Sequence, residues 1–168
     1  MSVYATALRA LAQRRLTESQ LWKKLERKGF DDAQIREALA RCRADGLLDD
    51  RLFARLFVES VTKPLGNSRL VGQLVTRGID PDIATDSVRS LEISEEQRCA
   101  DALARALRRK PSAAYASLAR SLERYGFPAS LIYRILREHA RTFGPMSSIQ
   151  RDGVLSEGEY SNDCRGRG

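Results

Sequence analysis

The sequence predicts an all-α protein, an elongated array of three tandem three-helix repeats followed by a disordered C-terminal tail. Three observations support this prediction. Apolar residues recur at the helical spacing of three and four, helix-start and helix-stop signals alternate along the 168 residues, and one pattern recurs about every 50 residues. The predicted repeats cover residues 1–47, 48–92 and 93–141, and the predicted tail covers residues 142–168.

Helix-start signals divide the chain into nine predicted helices. Thr17 and Ser94 each begin a capping-box pattern with Gln three residues later, and Asp80 precedes a proline at a first helical position. Ser112, which follows a proline, is expected to cap the eighth helix. The predicted helices cover residues 4–15, 18–28, 32–45, 50–62, 68–77, 81–91, 95–109, 113–125 and 129–141.

The repeat is clearest in the second helix of each three-helix set. Two leucines four residues apart are followed, after four more residues, by a glycine. The three copies are Leu21, Leu25 and Gly29; Leu70, Leu74 and Gly78; and Leu118, Leu122 and Gly126. A glycine in this place suits the left-handed backbone that ends a helix. The second leucine of each copy is therefore predicted to be an equivalent buried position. Because one repeat buries little apolar surface alone, neighbouring repeats should share hydrophobic contacts.

The net charge is +7, and 24 of the 29 basic residues are arginines. The charge is +4 over residues 1–48, −1 over residues 49–92 and +5 over residues 93–141, which indicates two separated electropositive surfaces. No stretch approaches the roughly 20 apolar residues of a membrane span, and the start does not resemble a signal peptide. We therefore expect a soluble, cytoplasmic, monomeric protein without a membrane partner.

Residues suited to catalysis or metal binding are few. The three cysteines are far apart and form no CxxC pair, and His139 is the single histidine. Cys42 and Cys99 fall in apolar helical patterns, which indicates small core residues. Pairs of acidic residues occur at predicted helix starts, where capping explains them, and no GxxxxGK[ST] phosphate loop is present. We expect no enzymatic activity, no metal and no cofactor.

One segment, Gly46-Leu47-Leu48-Asp49-Asp50-Arg51-Leu52-Phe53-Ala54, joins the first repeat to the second. Gly46 is expected to end one helix, and Asp49 or Asp50 to cap the next. The segment resembles the G-[YL]-L-[DN]-D-x-x-[FY]-A signature of the RecX family, regulators of the RecA recombinase. Lys28-Gly29-Phe30 is similar to the family's K-G-F, and the pattern from Gly66 to Ile79 resembles its middle repeat. The resemblance covers about residues 4–140.

This resemblance implies a non-enzymatic regulator of RecA. Such a protein lies along the deep groove of the RecA–DNA filament and restrains the ATPase and strand exchange of RecA. The signature itself is interpreted as architectural, with Gly46, Asp49, Asp50 and Phe53 setting the junction between repeats. The alternative interpretation is a sequence-independent protein that binds single- or double-stranded DNA without RecA.

Basic side chains on two predicted helix faces are the candidate contacts. The first basic cluster lies opposite the leucines of helix two, and the second lies on helices seven and eight. Both suit an anionic partner, either acidic RecA surface or DNA phosphate. The competing interpretation is a solvated face with cations favoured near helix C-termini. The first basic cluster comprises Lys23, Lys24, Arg27 and Lys28, and the second comprises Arg105, Arg108, Arg109, Lys110, Arg120 and Arg124.

Overall fold

The computed structural model describes residues 2–144, and these residues form nine α-helices without any strand. The all-α prediction is confirmed. The helices are α1 (Val3–Gln13), α2 (Glu18–Glu26), α3 (Asp32–Ala44), α4 (Asp50–Ser60), α5 (Asn67–Thr76), α6 (Pro81–Arg89), α7 (Glu95–Arg109), α8 (Tyr115–Arg124) and α9 (Ala129–Phe143). The last helix extends two residues into the predicted tail, and from residue 145 onward that prediction lies outside the described residues.

Helix caps explain where several of these helices begin. Thr17 forms a complete capping box, because its hydroxyl accepts from the Gln20 amide at 3.1 Å and the Gln20 side chain accepts from the Thr17 amide at 3.4 Å. Ser94 caps α7, but the Gln97 side chain donates to Asp101 instead, so the second predicted box is incomplete. The predicted cap at Ser112 is wrong. Helix α8 begins later, at Tyr115, and has no side-chain cap.

Three separate hydrophobic cores divide the helices into groups of three, which we call the first bundle (α1–α3), the second bundle (α4–α6) and the third bundle (α7–α9). The main helix–helix contacts all lie within one bundle. Leu25, Leu74 and Leu122 are 0%, 0% and 1% exposed, one in each core, which confirms that they are equivalent buried positions. The residue boundaries proposed for the repeats stay a prediction.

The glycine after the middle helix has the same local structure in every bundle. The φ angles of Gly29, Gly78 and Gly126 are +84°, +85° and +87°. In each case the next residue donates its amide to the carbonyl of the core leucine, at 3.5, 3.2 and 3.3 Å. This bond satisfies a carbonyl that the helix end leaves free, and it turns the chain back toward the core.

Small residues occupy one further equivalent position on the first helix of each bundle. Ala7, Ala54 and Cys99 are all 0% exposed, and each lies in the core of its own bundle. Cys42 is buried as well, and neither cysteine forms a disulfide, as expected for small core residues. Burial raises the pKa of the Cys99 thiol to about 11. No helix in the described range is long and apolar enough to cross a membrane.

Candidate partner-binding surfaces and the joints between bundles

The first two bundles meet where α2 begins and α5 ends, a contact that we call the first joint. The Thr17 hydroxyl donates to the Arg77 carbonyl at 2.6 Å, and the Glu18 amide donates to the Asp50 carboxylate at 2.9 Å. A Cβ atom placed on Gly78 would lie 2.2 Å from the Ser19 Cβ. The absence of a side chain at Gly78, after α5, therefore leaves room for Ser19 of the neighbouring bundle.

The second and third bundles meet in the same way, where α5 begins and α8 ends, and we call this contact the second joint. The Gly66 amide donates to the Tyr125 carbonyl at 2.8 Å, and the Ser68 hydroxyl donates to the Gly126 carbonyl at 2.6 Å. A Cβ atom on Gly66 would lie only 2.1 Å from the Gly126 oxygen. Two backbone segments therefore pack directly against each other here.

An acidic residue at the start of a bundle contributes to each joint. At the second joint the Asn67 amide donates to the Glu95 carboxylate at 2.6 Å, as the Glu18 amide does to Asp50 at the first. Each carboxylate accepts a hydrogen bond from a free amide at the start of a middle helix, and its negative charge interacts favourably with the dipole of that helix. Burial raises the pKa of Asp50, while its hydrogen bond from the Glu18 amide opposes that rise.

The signature segment lies beside the first joint, and its two aspartates have different partners. Asp49 accepts from the Leu52 amide at 2.9 Å and so caps α4, whereas Asp50 accepts from the first bundle. Gly46 has a φ angle of +69° after α3. Phe53 is half-buried and packs against the core of the second bundle.

The C-terminal end of α2 is open, unlike the corresponding ends of α5 and α8. Apart from Gly29 and its two neighbours in the chain, no atom of the described residues lies within 4 Å of a Cβ placed on Gly29, whereas Gly78 and Gly126 are both covered by a neighbouring bundle. Arg27 and Lys28 precede Gly29, so two members of the first basic cluster lie at this uncovered end.

The first basic cluster presents its charge to solvent. Lys23, Arg27 and Lys28 are exposed and Lys24 is partly buried. The Arg27 guanidinium donates to the Lys23 carbonyl at 3.1 Å. Within residues 2–144, none of the four forms an ion pair with a carboxylate. Lys23 also borders a shallow groove at the first joint together with Trp22.

The second basic cluster is exposed but divided among four places. Arg105 donates to the Thr62 carbonyl at 3.3 Å and so contacts the linker of the second bundle. Arg108 borders a groove between α7 and α9, and Arg120 and Arg124 together border a shallow depression on α8. Arg109 is the last residue of α7, and Lys110 is its C-cap. As with the first cluster, the part of the chain that the structure describes gives these cations no carboxylate partner.

The residues that make the joints were not found by sequence reasoning as a set. Thr17 and Gly66 occupy corresponding positions of the first two repeats, yet one contacts its neighbour through a hydroxyl and the other through a bare backbone. Arg98 is 9% exposed, and it was not identified as a buried residue from the sequence. Its position four residues before Ala102, on the buried face of α7, is the pattern that could have identified it. Among the described residues, no group of three or more His, Cys, Asp or Glu side chains is placed to hold a metal ion.

Comparison with known proteins identifies the same family that the signature resembles. Residues 4–42 match the family model described as RecX, first three-helix domain. The chain is 30% identical over 156 residues to the regulatory protein RecX of Amycolatopsis mediterranei, covering 86% of this chain and 87% of that one. It is 35% identical to the regulatory protein RecX of Deinococcus radiodurans, covering 86% of this chain and 71% of that one.

A solved structure shares the fold. The crystal structure of RecX from Lactobacillus salivarius superposes with a TM-score of 0.72 at 21% sequence identity, and the match covers 81% of this chain and 93% of that one. At this identity the similarity shows that the arrangement of helices is common to both proteins.

Proposed function

Because the chain belongs to the RecX family of regulatory proteins, we propose that it binds the RecA–DNA filament and inhibits the ATPase and strand-exchange activities of RecA. The protein acts by binding rather than by catalysis. It functions as a monomer in the cytoplasm, in DNA recombination, DNA repair and the SOS response.

One observation carries this proposal: the two basic clusters lie in the first and third bundles, and two ordered joints connect those bundles through the second. Because the joints hold the clusters at a restricted separation, binding through one cluster raises the effective concentration of the other at a repetitive anionic partner. A filament offers such repeated surface, whereas a single globular partner offers one copy.

The test is RecA ATPase on single-stranded DNA at increasing concentrations of the protein. The parent should lower the rate. Replacing Lys24, Arg27 and Lys28 by Glu should require about tenfold more protein for the same inhibition, because attraction becomes repulsion and a tenfold change corresponds to about 1.4 kcal/mol.

The corresponding triple variant in the third bundle is Arg108→Glu, Arg109→Glu and Lys110→Glu, which leaves the Arg105 contact with Thr62 intact. We expect a similar loss of inhibition, and for both variants circular dichroism should show an unchanged helix content.

A matched control reverses three exposed arginines outside the clusters, Arg36, Arg51 and Arg89. It makes the same change in net charge, so it should inhibit nearly as well as the parent if position matters. If both cluster variants inhibit as strongly as the parent at every concentration, the clusters do not bind the filament.

The second candidate function is DNA binding without RecA, which the five exposed arginines of the second basic cluster favour because guanidinium groups pair well with phosphate. Fluorescence anisotropy of labelled single- and double-stranded DNA, measured without RecA at several salt concentrations, separates the two functions. Tight binding whose affinity falls steeply with salt would favour this candidate.

A further inference from the structure

Beside the second joint is a cleft of about 390 Å³ that the regulation of RecA does not account for. Its walls come from α4, α5 and α6 and from the segment that leads into α7, and Arg98 of the third bundle also lines it. Val61 and Leu91, both partly exposed, supply its apolar surface, and the buried Val58 and Leu70 lie at its base. This volume is at the lower end of the range of about 300–1,000 Å³ that is usual for small-molecule sites.

Arg98 is a buried cation whose hydrogen-bond acceptors are all neutral. It is 9% exposed, and it donates to the Leu65 carbonyl at 2.5 Å and to the Asn67 side-chain oxygen at 2.5 Å. Its Nε atom is buried and has no acceptor among residues 2–144. The nearby Glu95 carboxylate accepts from the Asn67 amide and forms no ion pair with Arg98 within the described structure.

A buried charge is costly when nothing of opposite sign meets it. Burial lowers the pKa of Arg98, and Glu95 opposes that effect. The equivalent residue at the start of α4 is Phe53, so the second joint contains a cation where the first has an aromatic ring. A charge of this kind next to a cleft is suited to an anionic ligand.

The charges around the cleft limit what this ligand is. Among the side chains that line the cleft, Arg55, Lys63 and Arg98 contribute three positive charges, and Glu59 and Glu92 contribute two negative charges, which leaves a balance of +1. Glu95 is not among the lining residues, and its carboxylate accepts from the Asn67 amide. That balance suits a single negative charge and disfavours the several charges of a nucleotide.

The rim adds an unpartnered apolar side chain, because Ile93 lines the cleft and is 56% exposed. We propose that this cleft binds a small organic monocarboxylate, with its carboxylate toward Arg98 and its aliphatic or aromatic body against the wall formed by Val61, Leu91 and Ile93.

The test uses the full chain and defined probes. Hexanoate and 4-phenylbutanoate should bind in isothermal titration calorimetry and raise the melting temperature, since a ligand that binds only the folded state stabilises it. Hexanol, hexylamine and acetate should each bind at least tenfold more weakly, because each lacks either the negative charge or the apolar body. In ¹H–¹⁵N NMR spectra the shifted amides should fall within residues 55–70 and 87–98.

Two variants locate the site. Arg98→Met should weaken hexanoate binding at least tenfold. Because that change also removes two hydrogen bonds of the joint, Ser87→Phe serves as a second variant that fills the cleft from α6 and leaves Arg98 intact. Ser130→Phe, on an exposed position of α9, is the matched control and should bind hexanoate as the parent does.

Several outcomes would overturn the proposal. Equal binding of hexanol would show that the cleft recognises only apolar surface, and full binding by Ser87→Phe would place the site elsewhere. Absence of binding by either carboxylate at millimolar concentration would exclude the ligand class. Binding of a peptide through its terminal carboxylate, without binding of the free acids, would assign the cleft to a protein partner instead. RecA inhibition is assayed separately, so none of these outcomes depends on it.

Discussion

The two joints share one register and differ in chemistry. In both, the start of a middle helix docks against the glycine that ends the next middle helix, and an acidic residue accepts from the docked amide. At the first joint, a side-chain hydroxyl, that of Thr17, also donates across the contact. At the second joint, the backbone amide of Gly66 donates to the end of α8, and the buried Arg98 adds a further hydrogen bond between the bundles. A repeat can therefore preserve geometry while individual residues change how firmly neighbours are held.

The residue before each joint glycine shows the same contrast. Arg77 precedes Gly78, and its guanidinium stacks over the Phe57 ring at 4.3 Å within the second bundle. Tyr125 precedes Gly126 and packs against the cores of both the second and third bundles. The second joint therefore has continuous apolar contact across it, and we expect it to tolerate substitution less well than the first.

The largest expected effects test whether the three bundle cores contribute equally to stability. If they do, differences in stability between the two joints can be assigned to the joints themselves. Replacing Leu25, Leu74 or Leu122 by Ala should lower the free energy of unfolding by about 2–5 kcal/mol in each case, because each removes a fully buried side chain. Chemical denaturation followed by circular dichroism measures this. A cost well below this range at one position would mean that its core is not equivalent to the others.

Substitution at the second joint should have the next largest effect. Gly66→Ala should cost about 1–3 kcal/mol, because its Cβ would lie 2.1 Å from the Gly126 oxygen while its φ of −72° imposes no strain. The control, Gly72→Ala, lies within α5, the helix that Gly66 caps, with open space around it, and should stabilise by up to about 1 kcal/mol. Thermal denaturation compares the two, and equal effects would contradict the close packing of this joint.

At the first joint, the stability that Asp50 contributes as a hydrogen-bond acceptor can be separated from the stability contributed by its negative charge. Asp50→Ala should cost about 1–3 kcal/mol, because the Glu18 amide loses its acceptor. Asp50→Asn retains an acceptor oxygen, and because burial disfavours the charged form of Asp50, it should cost much less. Urea denaturation at neutral pH measures both, and an equal loss for the two variants would show that the charge is what matters.

The smallest expected effect concerns alkaline pH. The Cys99 thiol has a pKa of about 11 in the folded protein, above the ordinary value of roughly 8.5 expected when unfolded. Between these values the unfolded chain releases this proton and the folded chain retains it, so stability should fall as pH rises through that interval. Cys99→Ala, which introduces the residue found at Ala7 and Ala54, should reduce that fall. If stability falls with pH equally steeply in the parent and in Cys99→Ala between pH 8.5 and 11, the Cys99 thiol does not cause the fall.

Local patterns in the sequence were sufficient to predict the helices and the repeat. Helical spacing of apolar residues, capping side chains and periodic glycines act over a few residues, so they can be read without knowing the fold. They placed the core leucines correctly, and missed the start of α8 because Ser112 makes no cap there. The basic clusters were likewise found as helix faces, without their positions relative to the joints.

Only the tertiary structure decided how the bundles meet. The donor and acceptor of the first joint, Thr17 and Arg77, are 60 residues apart, and no local pattern specifies that pairing. The same holds for Arg98, whose acceptors lie on the far side of the second joint. The sequence by itself determined which faces of each helix are apolar and where each helix ends. The joints depend on the docking of whole bundles, since their hydrogen bonds join atoms that lie far apart in sequence and that only the packed bundles bring together.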